Sequence, residues 1–196
     1  MYEYPNPLQM DTIPIYLIVT MTENGTIADK GVIPWSIPGE QRYFKEHTLG
    51  AAVLMGRKTW ESLEYAPLPG RLNIVLTHSG TFSAPGAIPV TSMEEALTAA
   101  HAASLAKREL WIMGGAEVLN HAQWLANKAY VTVLHDHYAG DTKFESKRNG
   151  KITDHTVSEA EIEFSRTDLP GSAPTKYTKK LRYTRVVIDY DVLKRR

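Results

Sequence analysis

The chain has 196 residues and no cysteine, and its 22 Lys and Arg balance 22 Asp and Glu at a formal net charge of zero. That balance speaks against nucleic acid or a membrane surface as the main partner. The missing cysteines exclude disulfides, thiolate metal sites and cysteine nucleophiles.

The length suits one domain with a sizeable core. The opening MYEYPNPLQMDTIP lacks both a basic and an apolar leader region, and no apolar run is long enough to span a bilayer. A cytoplasmic protein is therefore expected. Residues 1–13 read as an irregular extension and 14–196 as the domain.

IYLIVTMT at 15–22 is a near-continuous apolar, β-branched run, as in a strand buried on both faces. A long polar loop with Gly and Pro punctuation follows, to Gly39. A helix is predicted over 38–48, with Pro38 at its first position because a missing N–H costs nothing there. AAVLM is the second strand, Arg57 to Leu63 a short helix, and RLNIVLT the third strand. TSMEEALTAAHAA carries a capping box, Thr91 with Glu94, and then helical periodicity. ELWIM is a fourth strand, Ala116 to Trp124 a helix behind Gly114-Gly115, and AYVTVLHD a fifth strand. EIEFS and RYTRVVIDYDVL suggest an antiparallel finish, while 81–86 and 146–155 read as exposed loops. Strands alternating with helices imply a mainly parallel α/β sheet, with ligands at the carboxyl ends of the strands.

The stretch PWSIPGEQRYFK, residues 34–45, places one acid, Glu40, in the first turn of the predicted helix, near Trp35 and one turn before Phe44. A carboxylate beside aromatics at a helix start suits a polar heterocycle. MGRKTWESL, PLPGR, IMGGAEV and GDTKF follow in order. Together with IYLIVTMT, this series resembles dihydrofolate reductase from about Ile15 to Phe144, and more weakly to Arg196.

The resemblance implies a single α/β domain: a mainly parallel central sheet, an antiparallel C-terminal edge strand and flanking helices. It implies an oxidoreductase of one-carbon metabolism that reduces 7,8-dihydrofolate to tetrahydrofolate with NADPH. The small-molecule substrate is then the main partner, with no nucleic acid, no membrane and no metal, and the expected form is a monomer. Glu40 would grip the 2-amino-4-oxo ring and govern protonation of N5 through a water molecule. Trp35 would lie in the loop that closes over both rings. Thr132 matches the threonine that bonds the acid and the pterin, and Ile18, Phe44 and Leu63 would line the substrate walls. Arg71, in PLPGR, would clamp the glutamate tail, because a guanidinium pairs bidentately with a carboxylate.

On the cofactor side, Gly114-Gly115 would form the family's cis glycine turn, where a phosphate meets a helix start. Met113, Ala116, Glu117, Thr20 and Ile27 would complete that wall. Arg57, Lys58 and Thr59 open a helix, and Thr77 and His78 end a strand; together they suit the 2′-phosphate of NADPH. Departures from the family pattern are Glu40 where bacterial members usually carry Asp, Thr20 for Ala, Gln41 for an apolar residue, Leu119 for Tyr, and Ala116 for a third glycine. The rivals are a reductase of the same fold acting on a pyrimidine or another pterin, and a nucleotide-binding module without catalysis. Trp35, Glu40 and Arg71 together argue against the first, and an intact Glu40 and glycine turn against the second.

Overall fold

The structure, a computed structural model, describes residues 13–166 and 174–190. Eleven strands and four helices alternate: β1 (Ile15–Thr22), β2 (Thr26–Ala28), β3 (Trp35–Ser36), α1 (Glu40–Thr48), β4 (Ala52–Gly56), α2 (Arg57–Glu61), β5 (Leu72–Leu76), β6 (Ile88–Val90), α3 (Met93–Ala102), β7 (Leu110–Gly114), α4 (Ala116–Ala122), β8 (Lys128–Leu134), β9 (Thr142–Lys143), β10 (Lys151–Arg166) and β11 (Thr175–Asp189). One sheet runs β3-β10-β11-β8-β1-β7-β4-β5-β6, and β2 pairs with β9 in a small second sheet. From β8 through β6 the pairing is parallel; β11 joins β8, β10 joins β11 and β3 joins β10, each antiparallel.

The unbroken apolar runs become strands because both sheet faces are covered. Alternate residues feed two cores. Leu17, Val19, Leu54, Ile74 and Ile112 pack with Ala96, Ala100, Val118 and Leu119 of α3 and α4. Ile18, Val53, Met55, Val75 and Trp111 face the other way, toward Tyr43 and Phe44 of α1 and Trp60 of α2. A third cluster, Trp35, Ile37, Leu134, Ile162, Phe164 and Tyr183, fills the antiparallel end. Ile13, assigned by the sequence to the extension, is buried in the first core; residues 1–12 lie outside the described residues.

Several boundaries differ from the sequence reading, each for a local reason. Pro38 does not open α1. Glu40 N donates to Ile37 O at 3.1 Å, and Gly39 sits at φ 79° and ψ 0°. These are the marks of a type II turn with Pro and Gly at its centre, which delays the helix to Glu40. The cap of α3 is Ser92, whose Oγ accepts from Glu95 N at 3.1 Å, while Thr91 N donates to the Glu95 carboxylate at 2.7 Å. The box is therefore shifted one residue from Thr91 and Glu94. α4 stops at Ala122, and Trp124 is exposed. The predicted 146–155 loop yields at Lys151 to β10, which pairs with β11 through Arg166. β2, β3, β6 and β9 have two or three residues each, too few to show a period. The end of the predicted last strand, 191–193, lies outside the described residues.

Candidate active site

Thr20 on β1 is in register with Thr132 on β8, and Thr132 in turn with Arg185 on β11. Side chains at one level of adjacent strands share a face, so this row points together toward the start of α1. The type II turn before α1 delivers Glu40 onto it. Thr20 Oγ1 donates to Glu40 Oε1 at 2.6 Å, and Thr132 Oγ1 donates to the same oxygen at 2.8 Å. Arg185 Nη2 donates to Oε2 at 2.7 Å, with both side chains under a quarter exposed (23% and 22%). Such charge-assisted bonds are about twice as strong as neutral ones. Thr20, expected on the cofactor side, thus places its hydroxyl on the acid.

Arg185 is the residue around the acid that the sequence reading missed. Its guanidinium lies 4.4 Å from the Tyr43 ring centroid and 5.2 Å from that of Tyr183. Burial pushes the Tyr43 hydroxyl pKa up, and the Arg185 charge opposes the rise. The one sequence signal was an arginine inside the β-branched run TRVVID, and its meaning depends on strand register.

Trp35 is buried in the third cluster, paired with Phe164 across β3 and β10. Its indole N–H has no partner among the described residues. Ile18 is buried on the α1 face, where Phe44 and Leu63 pack half-buried beside it. Arg71 closes the far end of α1. Its Nη1 donates to Thr48 Oγ1 at 3.2 Å and its Nε to Pro69 O at 3.1 Å, with the Phe44 ring centroid 5.7 Å from Cζ. Burial pushes its pKa below the ordinary arginine value.

On the other side of the face, the Gly114-Gly115 peptide is cis. Gly56, Gly115 and α2 come close here. A Cβ on Gly56 would lie 3.2 Å from Val118 Cγ2 and 3.7 Å from Gly115 N, and one on Gly115 would lie 3.4 Å from Thr59 Oγ1. A Cβ at Gly56 would crowd Val118, and the bare backbone left here could admit a phosphate chain. β4 and β5 end side by side at Gly56 and Leu76, which brings Arg57 next to Thr77. Arg57 donates to Glu61 at 2.7 Å and lies 5.0 Å from the Phe82 ring centroid; Lys58 is exposed. The Thr77 hydroxyl accepts from Ser79 N, and exposed His78 lies 3.6 Å from Glu117. Two acids, Glu61 and Glu117, therefore accompany the expected cations. Met113 is half-buried on this face, Ala116 starts α4, and Ile27 packs in the opposite core with Val19 and Phe144.

His135 Nδ1 meets Glu23 at 2.8 Å and its Nε2 meets Thr184 Oγ1 at 2.7 Å, on the surface. Among the described residues no group of three or more His, Asp or Glu could hold a metal ion, and no helix is long and apolar enough to cross a membrane.

A family model described as dihydrofolate reductase matches residues 14–167. The dihydrofolate reductase of Buchnera aphidicola subsp. Baizongia pistaciae is 40% identical over 130 residues, 66% of this chain and 76% of that protein. That of Mycobacterium tuberculosis (strain ATCC 25618 / H37Rv) is 42% identical over 118 residues, 59% and 68% of the two chains. Among solved structures, the dihydrofolate reductase from Enterococcus faecalis complexed with NADP(H) and RAB-propyl is similar with a TM-score of 0.64. It is 25% identical, and the match covers 88% of this chain and 96% of that one. With the Glu40 row, the cis glycine turn and a match spanning most of the sheet, the chain belongs to the dihydrofolate reductase family.

Proposed function

We propose that this chain reduces 7,8-dihydrofolate to 5,6,7,8-tetrahydrofolate with NADPH, and that Glu40 governs protonation of pterin N5. The observation that carries the reading is one carboxylate, at a helix start, held by donors from three adjacent strands. A group fixed in this way needs little reorganisation when a substrate arrives. NADPH, when bound, supplies the hydride to C6.

The residues divide the remaining work. Glu40 accepts the N–H donors of the 2-amino-4-oxo edge and so orients the ring. The buried Trp35 indole carries an unmet donor, which supports its holding the water that relays a proton to N5. Ile18, Phe44 and Leu63 exclude other water from the rings. Arg71, set at the outer end of α1, takes the glutamate tail. The bare backbone of Gly56, Gly114 and Gly115 fits the pyrophosphate, with Thr59, Ala116 and Glu117 around it. Thr77, His78, Arg57 and Lys58 take the 2′-phosphate, and Met113 belongs to the nicotinamide side; Thr20 serves Glu40, and Ile27 keeps its place in the first core. The domain of 14–196 acts as a monomer in the cytoplasm, a compartment that a cysteine-free chain suits.

Dihydrofolate-dependent oxidation of NADPH, followed with wild type and Glu40→Gln, tests the reading.

A further inference from the structure

Glu40 has more donors than a pterin-binding carboxylate needs before the pterin comes. An ionised carboxylate offers about four acceptor positions, two on each oxygen. Oε1 already accepts from Thr20 at 2.6 Å and Thr132 at 2.8 Å, and Oε2 from Arg185 at 2.7 Å. A 2-amino-4-oxo ring presents two adjacent N–H groups and needs one position on each oxygen. Oε2 has a position to spare; Oε1 has none, so one threonine hydroxyl must turn aside. That costs a single bond rotation.

Arg185 has no such freedom. Its guanidinium lies against Tyr43 and Tyr183, at 4.4 and 5.2 Å from their ring centroids, and its Nε is buried without a partner among the described residues. Leaving Oε2 would strand a charge that is always present among aromatic rings. The guanidinium therefore stays beside the ring's donor edge in the bound state.

We propose that Arg185 is a positioning residue that fixes the plane of the Glu40 carboxylate and, through its resident charge, weakens the site's hold on a cationic heterocycle relative to a neutral one. The proposal rests on the reductase reading above. A 2-amino-4-oxopteridine is neutral at its donor edge. Its 2,4-diamino counterpart is more basic and docks on a carboxylate as a cation. In a partly desolvated pocket the second ring meets a like charge that solvent screens poorly. Glu40 attracts the cation, but the Arg185 charge beside it offsets part of that attraction.

The test measures dissociation constants of both pteridines with wild type, Arg185→Gln, Arg185→Met and Arg185→Lys, together with dihydrofolate kinetics. Arg185→Gln and Arg185→Met are each expected to improve the diamino-to-oxo affinity ratio by about tenfold or more, as removal of a nearby like charge should. Arg185→Lys, which restores a charge without the planar fork, is expected to keep the wild-type ratio while losing turnover. Should Arg185→Gln fail to fold, Arg185→Met, which keeps an apolar stem over Tyr43, carries the measurement. An unchanged ratio in the neutral variants, or an equal loss for both rings, overturns the proposal. If wild type itself does not oxidise NADPH with dihydrofolate, the reductase reading fails instead, and the two outcomes are distinct.

Discussion

Thr132 and Arg185 stand opposite each other on antiparallel β8 and β11, and both donate to the carboxylate of Glu40 at 2.8 and 2.7 Å. One register pair of the sheet thus defines both oxygens of the acid. A slip of β11 by one residue in that pairing would turn Arg185 to the other face and leave Glu40 held by Thr20 and Thr132 alone.

Arg71 gives a prediction about the substrate tail. Arg71→Leu is expected to raise KM for dihydrofolate by roughly 10- to 100-fold, the loss of a charge-assisted pair worth about 1.5–3 kcal/mol. A pterin without the glutamate tail should be nearly unaffected. Steady-state kinetics with both substrates decides it, since equal losses would make Arg71 a support for Thr48 and Pro69 only.

Cofactor preference follows from the rim formed by Arg57, Lys58, Thr77 and His78. Two contacts of about 1 kcal/mol or more each favour NADPH over NADH by roughly 30-fold. Glu61 and Glu117 lie in the same place and must release their partners to the phosphate. The double variant Arg57→Ala with Lys58→Ala should raise KM for NADPH and leave that for NADH nearly unchanged. The wild-type preference should weaken with salt, because the rim is exposed. An NADH rate equal to that with NADPH would remove the 2′-phosphate site.

The shifted cap of α3 is tested by stability alone. Ser92→Ala should cost about 1 kcal/mol in urea unfolding, as loss of an N-cap does, with kcat unchanged. Thr91→Ala keeps the Thr91 N bond to Glu95 and should cost less. A larger loss at Thr91 would restore the box as read from sequence.

Five of the six parallel strands were legible because each is apolar at nearly every position, the mark of a strand covered on both faces. Glu40 and Thr132 were legible through motif order, and their bond is present at 2.8 Å. Arg185 was not, because it lies 145 residues from Glu40 and reaches it only through the register of β11 on β8. No local pattern encodes such a pairing. The start of α1 was misread for a different reason: Pro followed by Gly satisfies both a helix opening and a type II turn, and the left-handed Gly39 chose the turn.

The most direct measurement is the initial rate of NADPH oxidation by wild type and Glu40→Gln, side by side, with and without dihydrofolate. Wild type should oxidise NADPH only when dihydrofolate is present. Glu40→Gln, folded and still binding NADPH, should turn over roughly 10²-fold more slowly at neutral pH, the size of a general-acid contribution. Its deficit should narrow at low pH, where solvent can protonate N5 beforehand. A near-wild-type rate for Glu40→Gln at neutral pH, or oxidation that ignores dihydrofolate, would contradict the central role given to this carboxylate.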